Sequence, residues 1–191
     1  EVCADLAKSV ERFLSKPEVA CAVLGAIQSS ATADRVDLAN SGKLGKVVLA
    51  STKLSNPEFT GADVRTPVLL ACDAADESAY MEERFGPISF IVKAADTAAA
   101  IALSERIVNT HGALTVGVYS THQEVIDDMT HATWRGKVAL SINLTGGVFV
   151  NQSSAFSDYH GTGGNPSANA SYADSAFVAN RFRVVQRRYH V

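Results

Sequence analysis

Apolar residues recur at helical spacing in several stretches of the chain, and short continuous apolar runs stand between these stretches. Helical spacing places apolar side chains on one helix face, whereas a short apolar run is typical of a strand buried on both faces. The predicted helices are residues 1–15, 30–40, 97–109 and a segment that opens at Thr121. The predicted strands are residues 46–51, 67–72, 88–93, 113–119, 137–142 and 148–150. The run 19–27 fits either a short helix or a packed loop.

Helix-capping residues mark the ends of several of these elements. Pro17 is expected to end the first helix, because proline lacks the backbone N–H that a helix interior needs. Thr32 and Asp96 are predicted N-caps, since their side-chain oxygens can accept from free N–H groups of a first turn. Thr121 and Glu124 have the spacing of a capping box.

Strands and helices alternate from residue 47 to residue 150. This alternation predicts an α/β fold in which a mostly parallel sheet is flanked by helices. Ligands of such sheets usually bind at the carboxyl ends of the strands. The loops after Cys72, Val92, Tyr119 and Ile142 are therefore the predicted positions of a site.

The predicted domain organisation is one domain, residues 1–180, followed by a tail, residues 181–191. In the tail, Phe182, Val184 and Val185 stand among arginines, which is typical of a strand with polar sides. We expect this strand to trail off the domain with an unpaired edge. Such an edge can pair with another chain.

The segment Glu82-Glu83-Arg84-Phe85-Gly86-Pro87 follows a predicted loop rich in acids and alanine, residues 73–79. It stands directly before the apolar strand predicted at 88–93, which we expect to be buried. Charged residues are seldom placed against a core without a partner, so the two acids are candidates for ligand binding. The alternative is a loop whose acids face water and whose Gly-Pro pair ends one element. The local pattern alone leaves both interpretations open.

The amino-acid composition limits the kinds of molecule that this chain is expected to bind. Hydrophobic residues make up 47% of the chain and charged residues 19%, as in ordinary soluble domains. A net charge of -3 gives no electrostatic footprint for nucleic acid or an anionic membrane, and no apolar run is long enough to cross a bilayer. Three cysteines with no metal-ligand spacing fit a reducing, cytoplasmic setting without a metal.

The glycine-rich segment 161–165 lacks the lysine of a phosphate-binding loop, so we expect a loop that lines a site. His160 precedes it and is the histidine best placed to reach a ligand. No histidine pair has the spacing of a metal motif, and no G-x-S-x-G elbow or Ser-His-Asp set is present.

The hexapeptide resembles the E-E-x-F-G-P motif of the aldehyde dehydrogenase superfamily. The segments around it agree in order, since His111-Gly112-Ala113-Leu114 is similar to the family's Tyr-Gly-Leu turn. Residues 117–121 resemble its G-V-F-T strand end, and residues 147–151 resemble its strand that ends in Val-Asn. The resemblance covers nearly the whole chain and implies the α/β fold of that catalytic domain.

Residues 141–152 and 159–163 resemble more narrowly the aldehyde dehydrogenases of phenylacetic acid degradation, a group called PaaN. Those members are assigned to oxidising a ring-opened semialdehyde carried as a coenzyme A thioester. The usual P-F-G-G-x-K-x-S-G segment is replaced here by residues 158–163. The substrate-pocket candidates lie around this departure: Asn151, Phe156, Tyr159 and His160.

The resemblance implies roles for two motif residues. It implies that Glu83 binds the nicotinamide ribose hydroxyls of NAD or NADP and that Phe85 packs against that ribose. The implied reaction has a cysteine thiolate attack an aldehyde, hydride pass to the cofactor, and a water activated by a glutamate hydrolyse the thioester.

The chain is expected to be a C-terminal fragment, with the nucleophilic cysteine and the catalytic glutamate upstream of Glu1 and no catalytic residue of its own. Cys3, Cys21 and Cys72 do not carry the nucleophile's motif. We expect the fragment alone to be inactive and the full-length protein to form a homo-oligomer through its C-terminal strand. The alternative is a non-catalytic oligomerisation or ligand-binding module on the same fold.

Overall fold

The computed structural model describes residues 2–113, 115–143 and 187–189. The chain falls into two compact units, Glu1–Ala94 and Ala95–Val191. The helices are α1 (Val2–Leu14), α2 (Pro17–Val23), α3 (Ser30–Asn40), α4 (Glu77–Tyr80), α5 (Thr97–His111) and α6 (Gln123–Gly136). The strands are β1 (Lys46–Leu49), β2 (Lys53–Leu54), β3 (Val64–Arg65), β4 (Val68–Asp73), β5 (Ile88–Lys93), β6 (Thr115–Val118), β7 (Ala139–Ile142) and β8 (Arg187–Tyr189).

The first unit is built on strand β4, which lies between β1 and β5 in a three-stranded sheet. The continuous apolar sequence of β4 is explained by this central position, because Val68 and Leu70 are both fully buried. Helix α3 packs Ala39 against these two residues. Partly buried side chains complete this core: Leu44, Val47, Ile88 and Phe90.

Strand direction in the first unit differs in part from the sequence prediction. β4 and β5 are parallel, as expected, but β1 is antiparallel to β4. The chain passes from β1 to β4 through the short antiparallel pair β2–β3 rather than through a helix. Parallel neighbours need a crossover connection, so a segment without a helix allows the antiparallel arrangement.

The second unit has a three-stranded sheet in which β7 pairs in parallel with β6 and with β8. Helices α5 and α6 belong to the same unit, and Ile126 and Met129 of α6 pack on the sheet. Leu140 and Ile142 of β7 are fully buried in that cluster. The predicted α/β fold class, with sheets flanked by helices, is therefore confirmed, while the mostly parallel pairing holds for the described strands of the second unit and not for those of the first.

The C-terminal strand differs from the prediction that it trails off unpaired. Its part Arg187–Tyr189 pairs with Leu140–Ile142 of the chain's own sheet. The apolar strand β7 needs a hydrogen-bonding neighbour on this side, and β8 supplies it. That the tail 181–191 joins subunits stays a prediction.

Helix starts agree with the sequence in one case and shift in two. Asp96 caps α5 as predicted, since its carboxylate accepts from the N–H of Ala99 at 2.7 Å. The cap of α3 is Ser29 rather than Thr32, because Ser29 accepts from the N–H of Thr32. Helix α6 starts after His122 without a side-chain cap, so the predicted role of Thr121 is wrong.

The undecided run 19–27 is helical in its first part, because Pro17 opens α2 at the position where proline is best tolerated. Within the described part of the chain, no helix is both long and apolar enough to span a membrane. The strand predicted at 148–150 and the glycine-rich segment 161–165 lie outside the described residues.

Gly45 provides a test of the packing between β1 and β4. Its φ is +144°, and an added Cβ would lie 2.9 Å from the carbonyl oxygen of Ala71. We expect Gly45→Ala to lower the free energy of unfolding by about 1–3 kcal/mol, since backbone strain of this kind has that size. Urea unfolding followed by circular dichroism measures the change.

The matched control is Gly61→Ala, because a Cβ at Gly61 would meet nothing within 4 Å. This control should change the free energy of unfolding by less than about 0.5 kcal/mol, the usual range for surface substitutions. Equal urea midpoints for the Gly45 and Gly61 variants would show that the close approach to β4 does not constrain the fold.

Candidate functional site

The segment Glu82–Pro87, called the motif loop below, connects α4 to β5 without regular secondary structure. Glu82 and Glu83 are exposed, and the ring of Phe85 has 68% of its surface accessible. Single exposed apolar side chains are common on protein surfaces, and Phe59 and Tyr119 are exposed to nearly the same extent, so the exposure of Phe85 alone does not mark a site. The exposed acids and the exposed ring lie in one short segment.

The motif loop lines an open cleft of about 420 Å³. The lining residues come from the loop and its two neighbouring elements: Tyr80, Glu82, Glu83, Arg84, Phe85, Gly86, Ile88 and Phe90. The cleft combines carboxylates, a guanidinium and aromatic rings. Small-molecule sites commonly pair apolar walls with a few placed polar groups in this way.

Hydrogen bonds attach the motif loop to the rest of the first unit. The guanidinium of Arg35 donates from Nη1 to the carbonyl oxygen of Phe85 at 2.9 Å. The Nη2 of Arg84 donates to the carbonyl of Ser78 at 3.1 Å. The carbonyl of Pro87 accepts from the N–H of Val68, the first residue of β4, at 2.9 Å.

Gly86 is required by both its conformation and its surroundings. Its φ is +148°, which side-chain-bearing residues rarely adopt. An added Cβ would lie 3.3 Å from Cγ2 of Thr32 and 3.7 Å from Cγ2 of Val36, both on helix α3. The motif loop therefore passes close to α3 at this residue.

The two adjacent acids differ in their partners. Glu82 forms an ion pair with Arg84, with 3.5 Å between Oε2 and Nη1. Glu83 makes no hydrogen bond or ion pair with any residue that the structure describes. The Nε of Arg84 is buried and also lacks a hydrogen-bond partner within the described ranges. Of the two carboxylates, Glu83 has the greater free capacity to accept hydrogen bonds.

The motif loop does not lie at the carboxyl ends of the parallel strands, where ligands of such sheets usually bind. The loop ends at the start of β5, beside the first residue of β4. It therefore lies at the amino ends of these two parallel strands, whereas a site is predicted at their carboxyl ends. The chain leaves the carboxyl end of β4, forms α4 and returns to the amino end of β5, as a parallel crossover must.

Two features of the site were missed by sequence reasoning. Residues 73–79 were expected to be a loop, but Glu77–Tyr80 forms one turn of helix, and Tyr80 lines the cleft. The strand 88–93 was expected to be fully buried, but its residues are half-buried or exposed. No helical periodicity marks a helix of a single turn, so the sequence carried no pattern that could reveal it.

At the ends of β6 and β7, Asn143 and Ser120 form a reciprocal pair. The side-chain oxygen of Asn143 accepts from the N–H of Ser120, and its Nδ2 donates to the carbonyl of Ser120, both at 2.8 Å. Both ends of this amide are used in joining two loops, so its role is structural. The substrate-pocket candidates lie outside the described residues: Asn151, Phe156, Tyr159 and His160.

The cysteines are separate from the motif loop. Cys72 is buried, and its surroundings raise the pKa of its thiol, chiefly through burial and then through the charges of Asp76 and Asp73. A raised pKa keeps the thiol protonated, which opposes a nucleophilic role. Cys3 and Cys21 are half-buried, and Cys21 lies 3.6 Å from the carbonyl of Ser55.

Comparison with known proteins gives one informative result. No family model matches the chain. No curated protein matches it either. Among solved structures, the chain is similar to an NAD-dependent aldehyde dehydrogenase from Burkholderia multivorans, with 50% sequence identity and a TM-score of 0.83. The match covers 95% of this chain and 32% of that protein, so the chain spans about a third of its length.

The comparison supports the resemblance of this chain to the aldehyde dehydrogenase superfamily. At this identity and TM-score, the α/β fold is that of the corresponding part of the aldehyde dehydrogenase. The hexapeptide that resembles E-E-x-F-G-P is thus found on a fold of the expected kind. The narrower resemblance to the phenylacetate group is not part of this result.

The chemical state of Cys72 leads to a labelling prediction. Because burial and nearby carboxylates raise the pKa of its thiol, iodoacetamide should modify Cys72 far more slowly in the folded protein than in urea. The pH at which its labelling rate is half-maximal should also be higher in the folded protein. Mass spectrometry of digested samples, labelled at several pH values, measures both effects. Equal folded and unfolded labelling profiles for Cys72 would contradict the assigned environment.

Proposed function

We propose that this chain is part of an NAD(P)-dependent aldehyde dehydrogenase and that its motif loop holds the nicotinamide ribose of the cofactor. The observation that carries the proposal is the exposed pair Glu83 and Phe85 on an anchored loop, within a chain 50% identical to an NAD-dependent aldehyde dehydrogenase. The Burkholderia multivorans enzyme depends on NAD, and we extend this cofactor to the present chain on the basis of the similarity.

The residues of the loop fit a ribose chemically. A carboxylate can accept hydrogen bonds from two vicinal hydroxyls, and Glu83 has no other partner among the described residues. The exposed ring of Phe85 can cover the apolar face of a sugar and exclude water from it. The cleft of about 420 Å³ falls in the size range of small-molecule sites.

Each neighbouring residue of the motif has a supporting role in this proposal. Arg84 pairs with Glu82, whereas Glu83 has no partner among the described residues and is the carboxylate available to a ligand. Gly86 allows the close approach to helix α3 that sets the path of the loop. A bound nicotinamide dinucleotide supplies the hydride acceptor. The chain's own residues bind and orient it.

The nucleophile of the proposed reaction lies outside these residues. The buried, protonated state of Cys72 does not suit it, and Cys3 and Cys21 do not carry the nucleophile's motif. The chain covers 32% of the similar enzyme, which leaves ample length for the missing groups. We infer that this stretch by itself does not oxidise aldehydes.

The substrate class is proposed from sequence alone. Residues 141–152 and 159–163 resemble the aldehyde dehydrogenases of phenylacetate degradation, which supports a ring-opened semialdehyde linked to coenzyme A. The pocket candidates Asn151, Phe156, Tyr159 and His160 stand where this chain departs from ordinary family members.

Replacement of Glu83 by Gln in the full-length enzyme tests the proposal. Loss of the charge should lower kcat/KM for the dinucleotide by roughly 10- to 100-fold, since charge-assisted hydrogen bonds to both hydroxyls are weakened. Steady-state kinetics with NAD+ and with NADP+, at saturating aldehyde, measures the change.

Glu82→Gln is the matched control, because it removes the same charge one residue away on a carboxylate that is paired with Arg84. Exposed ion pairs contribute little, so this variant should stay within about threefold of the parent enzyme. Parent-like kinetics of the Glu83 variant with both dinucleotides would refute its ribose-binding role.

A further inference from the structure

We propose that Arg35 is a positioning residue for the motif loop, so that helix α3 sets the direction in which Glu83 and Phe85 project. This inference rests on the proposed cofactor-binding function. Arg35 lies on α3, 50 positions before Phe85 in sequence, and nothing in the local pattern around either residue links them.

The contact is made by a single nitrogen of the Arg35 guanidinium. Nη1 donates to the carbonyl oxygen of Phe85 at 2.9 Å and lies 3.1 Å from Oγ1 of Thr32. Hydrogen bonds from a charged donor are stronger than those between neutral groups. The Phe85 carbonyl is therefore held firmly although the Phe85 ring is exposed.

The start of helix α3 fixes the direction of this guanidinium. Thr32 has 8% of its surface accessible, and its Oγ1 lies 3.1 Å from Oγ of Ser29, the residue that caps the helix. Ser29 also accepts from the N–H of Thr32. A chain of contacts thus runs from the helix cap through Thr32 and Arg35 to the backbone of the motif loop.

Helix α3 lies beside two consecutive residues of the loop, Phe85 and Gly86. Arg35 holds the carbonyl of Phe85, and Cγ2 of Thr32 lies 3.3 Å from the point where a Cβ of Gly86 would stand. Arg35 therefore holds the carbonyl of the peptide that joins Phe85 to Gly86, and Thr32 leaves little space for Gly86 to move toward α3. Such restraint fixes the backbone conformation beside Glu83 and Phe85.

The restraint matters because Glu83 and Phe85 have little packing of their own. An exposed side chain on a loose loop must be ordered when its ligand binds, and this ordering weakens affinity. With Arg35 in place, the loop is ordered before the dinucleotide arrives. Loss of Arg35 should therefore weaken dinucleotide binding more than it changes the chemical step.

Arg35→Met in the full-length enzyme tests this inference. We expect the KM for NAD+ and the Kd for NADH to rise about tenfold, with kcat and the KM for the aldehyde within about twofold of the parent. The Kd is measured from NADH fluorescence. Arg35→Lys, which can still donate to the Phe85 carbonyl, should restore about half of the lost affinity on a logarithmic scale.

The matched control is Arg12→Met on α1. Arg12 is exposed and lies outside the motif loop, and its backbone carbonyl accepts a hydrogen bond from the hydroxyl of Ser15. Dinucleotide binding by this variant should equal that of the parent. Thr32→Val removes the hydroxyl beside Arg35 and keeps the side-chain shape. It should raise the Kd for NADH about two- to threefold, as expected for loss of one neutral hydrogen bond.

The outcomes separate this inference from the proposed function. If Glu83→Gln weakens dinucleotide binding while Arg35→Met leaves the KM and Kd unchanged, the role of Arg35 is overturned and the ribose site stands. If neither variant changes dinucleotide binding, the proposed function fails and this inference fails with it. A lowered Tm with unchanged Kd would show that Arg35 only stabilises the fold. If Arg35→Met does not fold, the Kd values for NADH of Arg35→Lys and Thr32→Val test the positioning role of Arg35. Kd values equal to that of the parent for both variants would overturn this role.

Discussion

The parallel pairing of β4 with β5 is the constraint on which the candidate site depends. Two adjacent parallel strands must be joined by a chain that returns from one end of the sheet to the other. In this protein, the returning chain is α4 and the motif loop. The hydrogen bond from the N–H of Val68 to the carbonyl of Pro87 fixes the end of that return at the sheet.

Once the end of the loop is fixed, helix α3 determines its path. Ala39 near the end of α3 packs on β4, while Arg35 in the middle of the helix donates to the loop and Thr32 near its start lies close to Gly86. The same helix therefore takes part in the core and supports the exposed acids and aromatic ring. This arrangement explains how side chains with large exposure are held in place by a rigid scaffold.

The sequence predicted the order of the main elements well, because periodicity and capping reflect local physics. Asp96 illustrates this, since an acid directly before an apolar-periodic segment has few other roles. The cap of α3 shifted from Thr32 to Ser29, since serine and threonine are almost equivalent caps and both stand near the helix start. The antiparallel direction of β1 depended on the connection through β2 and β3, which are too short for a periodic pattern.

The candidate site was predictable only in part. The hexapeptide was conspicuous in sequence, and its resemblance to a family motif singled out Glu83 and Phe85. The contact between Arg35 and Phe85 depends on tertiary packing between distant segments, and no spacing rule could have revealed it. The pairing of Glu82 with Arg84, which Glu83 does not share, likewise emerges only in three dimensions, because both acids are the same residue type at adjacent positions.

A crystal structure of the full-length enzyme with bound NAD+ tests the central claim most directly. The account predicts that both carboxylate oxygens or one shared oxygen of Glu83 lie within about 3.2 Å of the nicotinamide ribose hydroxyls, the usual hydrogen-bond limit. It also predicts that the ring of Phe85 covers that ribose and that Arg35 keeps its bond to the Phe85 carbonyl. A nicotinamide ribose bound away from the motif loop, with Glu83 facing solvent, would contradict the account.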